Sequence, residues 1–341
     1  MSDVDGRTAV PVDARVSVAL CTYNGAAYIA EQLASILAQT ILPGEIVVSD
    51  DGSSDTTAEI VTGFAQASRV PITLRLNVKP LGVTKNFQTA LQSTKGSLLV
   101  LSDQDDRWHP DRLARAVARF DADPSLALLF SDARLVDAVG DDLGFSLLQS
   151  LSIGEGERAA FAPGSRSFNT LLRRNLVTGA TTMLRRSLLE DAAPFPEPWV
   201  HDEWLAIIAA ATARVGLLDE QLIDYRQHGA NQIGIVEPTL RYKFARLTAP
   251  GRQRNRDIQA RVEGLIPRLE QFGSRVRPED LASARRKLDI ERFRAELPAA
   301  RWRRILPVLG RVPRGEYQRY TSQGVLDVAR DLLQRELPSA E

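Results

Sequence analysis

Cysteine is almost missing from this chain: Cys21 stands alone among 341 residues. A single thiol excludes an intrachain disulfide framework and fits a reducing compartment, and a lone cysteine ordinarily serves as a small buried apolar residue. Long apolar runs are missing too. No stretch approaches the roughly 20 residues that span a bilayer, and the opening MSDVDGRTAVPVDAR is too polar for a secretory leader. A cytoplasmic protein is expected. No GxGxxG follows the first strand-like run, so the usual dinucleotide fingerprint is absent. Net charge is absent as well, with 43 basic and 43 acidic residues. That balance hides an asymmetry: from Arg241 onward there are 23 Lys and Arg against 13 Asp and Glu, leaving 20 and 30 before it. An acidic body with a basic tail region follows. It names no partner, and no nucleic acid is expected.

What is present is ordinary globular material, 44% hydrophobic and 25% charged. Val16 to Leu20 (VSVAL) reads as a buried strand, and Cys21 to Gly25 as a turn. Ile29, Leu33, Ile36 and Leu37 recur at helical spacing. Glu45 to Ser49 is a second strand, and Thr56 with Glu59 has capping-box spacing for the next helix. Strands at Ile72–Leu76, Leu98–Leu101 and Leu126–Phe130 alternate with helices at Val83–Leu91 and after Pro110. A parallel sheet with crossover helices is the expected class. Further on, a strand is expected near Ala180–Leu184, a helix over Trp204–Ala213, and a strand pair or extended stretch from Val215 to Tyr225. Beyond Tyr242 the sequence turns helical and Arg-rich. The expected division is a disordered tail (1–14), an α/β domain (15–238) and a basic helical region (239–341).

Three polar clusters stand at expected strand ends, where ligands bind in open parallel sheets. They are Thr22-Tyr23-Asn24, Asp50-Asp51, and Asp103 to Asp106 in LSDQDDRW. Carboxylates packed as densely as Asp103, Asp105 and Asp106 repel unless water or a cation intervenes. Magnesium and manganese take oxygen ligands, shared between one or two carboxylates and substrate phosphates. A solvated acidic turn that caps the next helix fits the same residues. DDGSSD likewise reads either as a nucleoside contact or as a tight turn with a cap. Arg173-Arg174 and Arg185-Arg186 read as surface pairs.

VALCTYNG, VVSDDGSSDTT and LSDQDDRWHPDRL, in this order and spacing, resemble the family 2 glycosyltransferases of GT-A fold. The resemblance covers roughly residues 15 to 235. It implies a Rossmann-like, mostly parallel sheet flanked by helices, with the C-terminal helices as an appendage. It further implies that Asp51, with Asp50 as the alternative, contacts the base or ribose of a sugar nucleotide. Thr22, Tyr23 and Asn24 would line the nucleoside pocket, and Lys85 would approach the phosphates. Asp103, Asp105 and Asp106 become the candidates for a divalent metal (Mn²⁺ or Mg²⁺) on the diphosphate. HDEW (His201 to Trp204) falls where the family carries its catalytic base, making Asp202 the candidate and Glu203 the runner-up; a helix N-cap is the plainer role for Asp202. His228, in YRQHGANQIG, is the candidate histidine ligand, and Arg226 an alternative partner of the diphosphate. NLVTG (Asn175 to Gly179) would adjoin the acceptor.

The implied function is inverting transfer of one sugar from a UDP- or dTDP-linked donor to a hydroxyl acceptor, lipid-linked acceptors included. No QxxRW motif of the processive synthases is present, which points to single-sugar transfer. The resemblance is nearest to bacterial rhamnosyltransferase-like members that build cell-surface polysaccharide or glycolipid. Competing readings are a nucleotidyltransferase and a non-catalytic sugar-nucleotide-binding protein. The basic helices would rest on anionic lipid at the inner face of the membrane or form a homodimer contact.

Overall fold

A computed structural model describes residues 10–229 and 252–334. The first nine residues of the expected tail, positions 230–234 of the histidine loop and the expected boundary at 238/239 lie outside them. The chain runs β1 (Val12–Thr22), α1 (Ile29–Leu37), β2 (Leu42–Asp50), α2 (Thr57–Ala67), β3 (Ile72–Leu76), α3 (Val83–Ser93), β4 (Leu98–Ser102), β5 (Arg107–Trp108), α4 (Arg112–Ala122) and β6 (Leu126–Val136). After β7 (Asp142–Ser146) come α5 (Leu147–Ser150), α6 (Glu155–Ala159), α7 (Phe168–Arg173), β8 (Thr182–Arg185), α8 (Arg186–Ala192), α9 (His201–Thr212) and β9 (Arg214–Arg226). Further helices follow: α10 (Arg252–Gln271), α11 (Pro278–Ala295), α12 (Arg301–Arg311), α13 (Glu316–Tyr320) and α14 (Val325–Leu333).

The strands form one sheet in the order β3-β2-β1-β4-β8-β6-β9-β5, with β7 beside β6. β3, β2, β1 and β4 are mutually parallel, and β9 runs parallel to β6. β8 enters antiparallel between β4 and β6. Alternation of side chains along the strands divides the core into two layers. Ala19, Cys21, Leu99, Leu101 and Leu128 pack on one face with Phe87 of α3 and Leu205 of α9. Val16, Val18, Leu20, Leu98 and Val100 pack on the other with Leu33 of α1 and Leu113 of α4. Burial on both faces is why β4 reads as an unbroken apolar run.

Several boundaries differ from expectation. β1 starts at Val12, inside the expected tail, because Val12 and Asp13 pair with Leu42 and Pro43; the polar VDAR spelling conceals a paired strand. α9 begins at His201, so HDEW forms its first turn ahead of the apolar run from Trp204. Of the two readings for Val215 to Tyr225, the single extended stretch forms, as one strand, rather than a strand pair. The capping box at Thr56 does not form: Thr56 makes no side-chain cap bond, and Asp55 Oδ1 accepts from the Thr57 N–H at 3.1 Å instead. The arginine pairs are half-buried rather than solvated. Arg173 and Arg174 clamp Glu157, while Arg185 and Arg186 donate to the carbonyls of Leu126 and Gly96.

Leu265 and Leu269 of α10 and Ala284 of α11 share a cluster with Trp199 and Trp204. The first two C-terminal helices thus complete the α9 side of the core. α11 to α14 hold a smaller cluster of Ile290, Leu297, Val308 and Tyr317. Beneath it Arg294 pairs with Glu291, Asp327 and Asp331. Among the described residues no helix is long and apolar enough to cross a membrane.

Candidate active site

Strand register decides where the polar clusters emerge. Thr22 of β1 pairs with Asp50 of β2, and Leu20 of β1 with Ser102 of β4. Tyr23, Asp51 and Asp103 therefore leave the sheet at one edge, the carboxyl ends of parallel strands. A cleft of about 790 Å³ opens there, walled also by Lys85 of α3, by Thr178 and Gly179 before β8, and by His201 and Asp202 of α9.

Asp51 lines this cleft and also fastens its rim. Its Oδ1 accepts from Asn77 Nδ2 (2.9 Å) and the Leu81 N–H (2.7 Å), and its Oδ2 from the Gly82 N–H (2.9 Å). Asp50 does not line it. That carboxylate accepts from the N–H groups of Gly52 and Ser53, closing its own turn. Asn24 is likewise a turn residue: with φ +48° it accepts from the Ser54 N–H at 2.8 Å and stays out of the lining. Thr22 and Tyr23 do line the cleft. Both are held by Gln104, whose Oε1 accepts from Thr22 Oγ1 (2.6 Å) and the Tyr23 N–H (2.9 Å). A Cβ at Gly25 would collide with that amide, which accounts for glycine there. Gln104 carried no role in the sequence reading; its place inside the acidic motif was the available signal.

The three aspartates separate. Asp103 and Asp105 line the cleft, whereas Asp106 lies beneath it, 1% exposed, with Oδ1 accepting from the Arg226 N–H at 3.1 Å. Unlike its two neighbours, the metal candidate Asp106 does not open into the cleft, and its buried Oδ2 has no hydrogen-bond partner among the described residues. Burial, then the charges of Asp105 and Asp202, push Asp103 up to about 7. Arg112 is buried under the motif, stacked 3.8 Å over Trp108 and donating to the Ala180 carbonyl at 2.7 Å. Burial lowers its guanidinium to about 9 against the pull of Asp106 and Asp103. Sequence reasoning missed this internal counter-charge, since an arginine at a helix start reads as surface. Arg226 is not available to a diphosphate: it donates to Glu31 Oε2 (2.6 Å) and the Asp105 carbonyl (2.9 Å). His228 Nε2 stands 2.8 Å from Asp105 Oδ2, its ring stacked on Tyr28.

Among the described residues no three His, Cys, Asp or Glu side chains form a ready-made metal cage. The donor set nonetheless fits a hard cation. Two carboxylates face the cleft, and desolvation together with the charge of Asp105 disfavours ionisation of Asp103, a penalty that a cation between them would relieve. Magnesium-type sites take one or two carboxylates and complete the shell with substrate phosphate.

Asp202 sits in the first turn of α9, whose N-cap is Val200, so it is not the helix cap. Its Oδ2 accepts from the Gly179 N–H (2.9 Å) and its Oδ1 from the Glu203 N–H (2.6 Å). Burial raises it to about 6. Glu203 faces away to Arg261 at 2.7 Å, which removes it as an alternative base. Lys85 lines the cleft but pairs with Glu197 at 2.6 Å. His201, given no role from sequence, stacks on Phe87 at 4.0 Å, its buried ring nitrogens without hydrogen-bond partners, and burial lowers it to about 3. The Cys21 thiol feels the charges of Asp103 and Asp51, and Asp103 feels Asp105 and Asp202, so the four carboxylates share one cleft within electrostatic reach of their neighbours.

A family model described as "Glycosyl transferase family 2" matches residues 17–191. An uncharacterized protein of Mycobacterium tuberculosis is 28% identical over 224 residues, 62% of this chain, and the chain spans only 59% of that relative's length. The Escherichia coli UDP-Glc:alpha-D-GlcNAc-diphosphoundecaprenol beta-1,3-glucosyltransferase WfgD is 26% identical over 200 residues, 58% of this chain and 70% of that protein. Among solved structures, S. aureus TarS 1-349 in complex with UDP-GlcNAc superposes with TM-score 0.54 at 20% identity, over 93% of this chain and 89% of that one. The Pyrobaculum calidifontis mannosyltransferase PcManGT in complex with GDP-Man and Mn²⁺ gives 0.53 at 20%, over 92% and 85%. At these identities the two structures establish a shared fold.

Proposed function

From the premise that this chain belongs to glycosyl transferase family 2, we propose that it transfers one sugar from a nucleoside-diphosphate sugar to a hydroxyl acceptor with inversion at the anomeric carbon. One observation carries the reading: Asp51, Asp103, Asp105 and Asp202 open into a single cleft. Asp51 faces the nucleoside and keeps the Leu81–Gly82 rim in place for it. Asp103 and Asp105, with His228 adjoining, would hold a divalent cation, which would supply charge compensation for the departing diphosphate.

Asp202 is the base. Two backbone N–H donors hold its carboxylate still, and a value near 6 leaves it ionised yet proton-accepting at neutral pH. It takes the acceptor proton as the oxygen attacks from the side opposite the diphosphate. His201, neutral and buried beside it, adds no charge at the reacting centre. The transferase unit spans 15–238 and takes support from α10 and α11, which pack on its core, while the remaining basic helices serve a separate role. WfgD's name carries a lipid-diphosphate acceptor, which supports an acceptor of that class in surface polysaccharide synthesis. Rhamnosyl transfer is the narrowest form of the proposal.

The test is a thermal-shift panel of UDP, dTDP and GDP and their sugars, dTDP-rhamnose included, with and without manganese. At least one nucleotide should stabilise the protein in a manganese-dependent way, and Asp103→Asn with Asp105→Asn should abolish the metal dependence. No manganese-dependent response to any of them would overturn the proposal.

A further inference from the structure

The helix α12 (RWRRILPVLGR) carries four apolar side chains that the fold leaves outside, and Val312 just beyond it is exposed as well. Trp302 is 70% and Leu306 83% exposed, and Ile305 and Leu309 are exposed beside them. At about 100° per residue these four fall within an arc of roughly 100°. The opposite side of the helix is locked down. Arg304 is fully buried and donates to the carbonyls of Pro298, Ala299, Asp331 and Gln334, and Val308 is buried next to it. The helix cannot roll its apolar stripe inward without breaking that clamp. Arg301 and Arg303 flank the stripe on both sides, Arg314 follows it, and none of the three forms an ion pair among the described residues. No acidic residue occurs from 301 to 315. α14, which packs against α12, also exposes Val325 and Leu326.

We propose that α12 is an in-plane docking helix for an anionic lipid bilayer. An exposed apolar stripe edged by arginine, with tryptophan at one end, matches the boundary between headgroups and acyl chains. Its 11 residues span about 16 Å, too short to cross a hydrocarbon core of about 30 Å. The uniform positive sign selects an anionic surface over a neutral one. This inference concerns where the protein sits and does not depend on the transfer chemistry.

Tryptophan supplies the readout, because Trp108, Trp199 and Trp204 are buried and Trp302 is not. Full-length protein is mixed with vesicles of phosphatidylcholine and phosphatidylglycerol in equal parts, or of phosphatidylcholine alone. Co-sedimentation and acrylamide quenching are then measured. Anionic vesicles should bind the protein and shield Trp302, with quenching of a Trp302→Phe variant unaffected by lipid. Each arginine near an anionic surface is worth about fivefold, so neutral vesicles should bind on the order of a hundredfold more weakly. Leu306→Glu should lower binding at least about tenfold while leaving the melting temperature and any nucleotide-induced shift unchanged. Equal binding to both vesicles, or undiminished binding by a folded Leu306→Glu variant, would overturn the proposal. So would shielding of Trp302 without vesicles that grows with protein concentration, which would assign the stripe to a second copy of the chain.

Discussion

Replacing Asp202 with asparagine separates catalysis from folding, and the separation can be worked out in advance. Asp202 is buried and its carboxyl is raised from 3.8 to about 6. The native state therefore holds this proton more tightly than the unfolded chain does. Below pH 3.8 the residue is neutral in both states and carries no penalty; as pH rises through 6 the fold loses stability, because the carboxylate must ionise in a buried place. The full loss is about 3 kcal/mol, from roughly two pKa units at 1.36 kcal/mol each. The asparagine of the Asp202→Asn variant does not titrate. It does present an amide N–H to one of the two backbone donors, Gly179 or Glu203, that the carboxylate satisfies. That mismatch costs about 1–2 kcal/mol at every pH. The variant should thus melt below the wild type at pH 4 to 4.5 and above it at pH 8, by a few degrees each way. Relief of Asp103, which feels Asp202 and is raised to about 7, adds in the same direction above neutrality. In transfer assays the same variant should bind nucleotide normally and lose about 10²–10⁴-fold in rate. Paired melting curves at pH 4.5 and pH 8 with one turnover assay suffice. A melting difference independent of pH would refute the buried-carboxylate account, and transfer within a few-fold of wild type would remove Asp202 as the base.

Asp51→Ala should weaken nucleotide binding and also leave the Leu81 and Gly82 N–H groups without their acceptor. Stability should fall by about 1–3 kcal/mol, read by denaturant titration with calorimetry for binding. In Gly179→Ala a Cβ would lie 2.7 Å from His201 Nε2, so the imidazole must shift against Phe87. A loss of about 1–3 kcal/mol is expected, with transfer impaired more than nucleotide binding. Asp224 is buried among Arg107, His109 and Arg134, which hold its carboxyl well below the ordinary range. Its stabilisation is present above about pH 4 and is lost as pH falls. Asp224→Ala should cost about 3 kcal/mol or more at pH 7, and the gap should narrow in acid-denaturation curves.

Some of this molecule was legible in one dimension because local spacing carries it. Leu98 to Leu101 read as a short buried strand, and Ile29, Leu33 and Ile36 as a helix with one apolar side, and both formed. The motifs after β1, β2 and β4 indicated strand-end chemistry because parallel register brings such ends together. Asp51, Asp103 and Asp105 were reachable this way, whereas Asp202 was reachable only through the family resemblance, because its own helix-start setting reads as a cap. What the string of letters left undecided was direction. Asp50 and Asp51 are neighbours of one chemistry, yet one closes its own turn and the other faces the cleft. Asp103, Asp105 and Asp106 read alike until the Arg226 N–H draws Asp106 under the floor. Burial of Arg112, the withdrawal of Arg226 to Glu31 and the turning of Glu203 to Arg261 depend on partners distant in sequence. Spacing sets which residues share an element, and packing between elements sets which way each charge points; for carboxylates, that second choice selects between a turn, a counter-charge and a catalytic group.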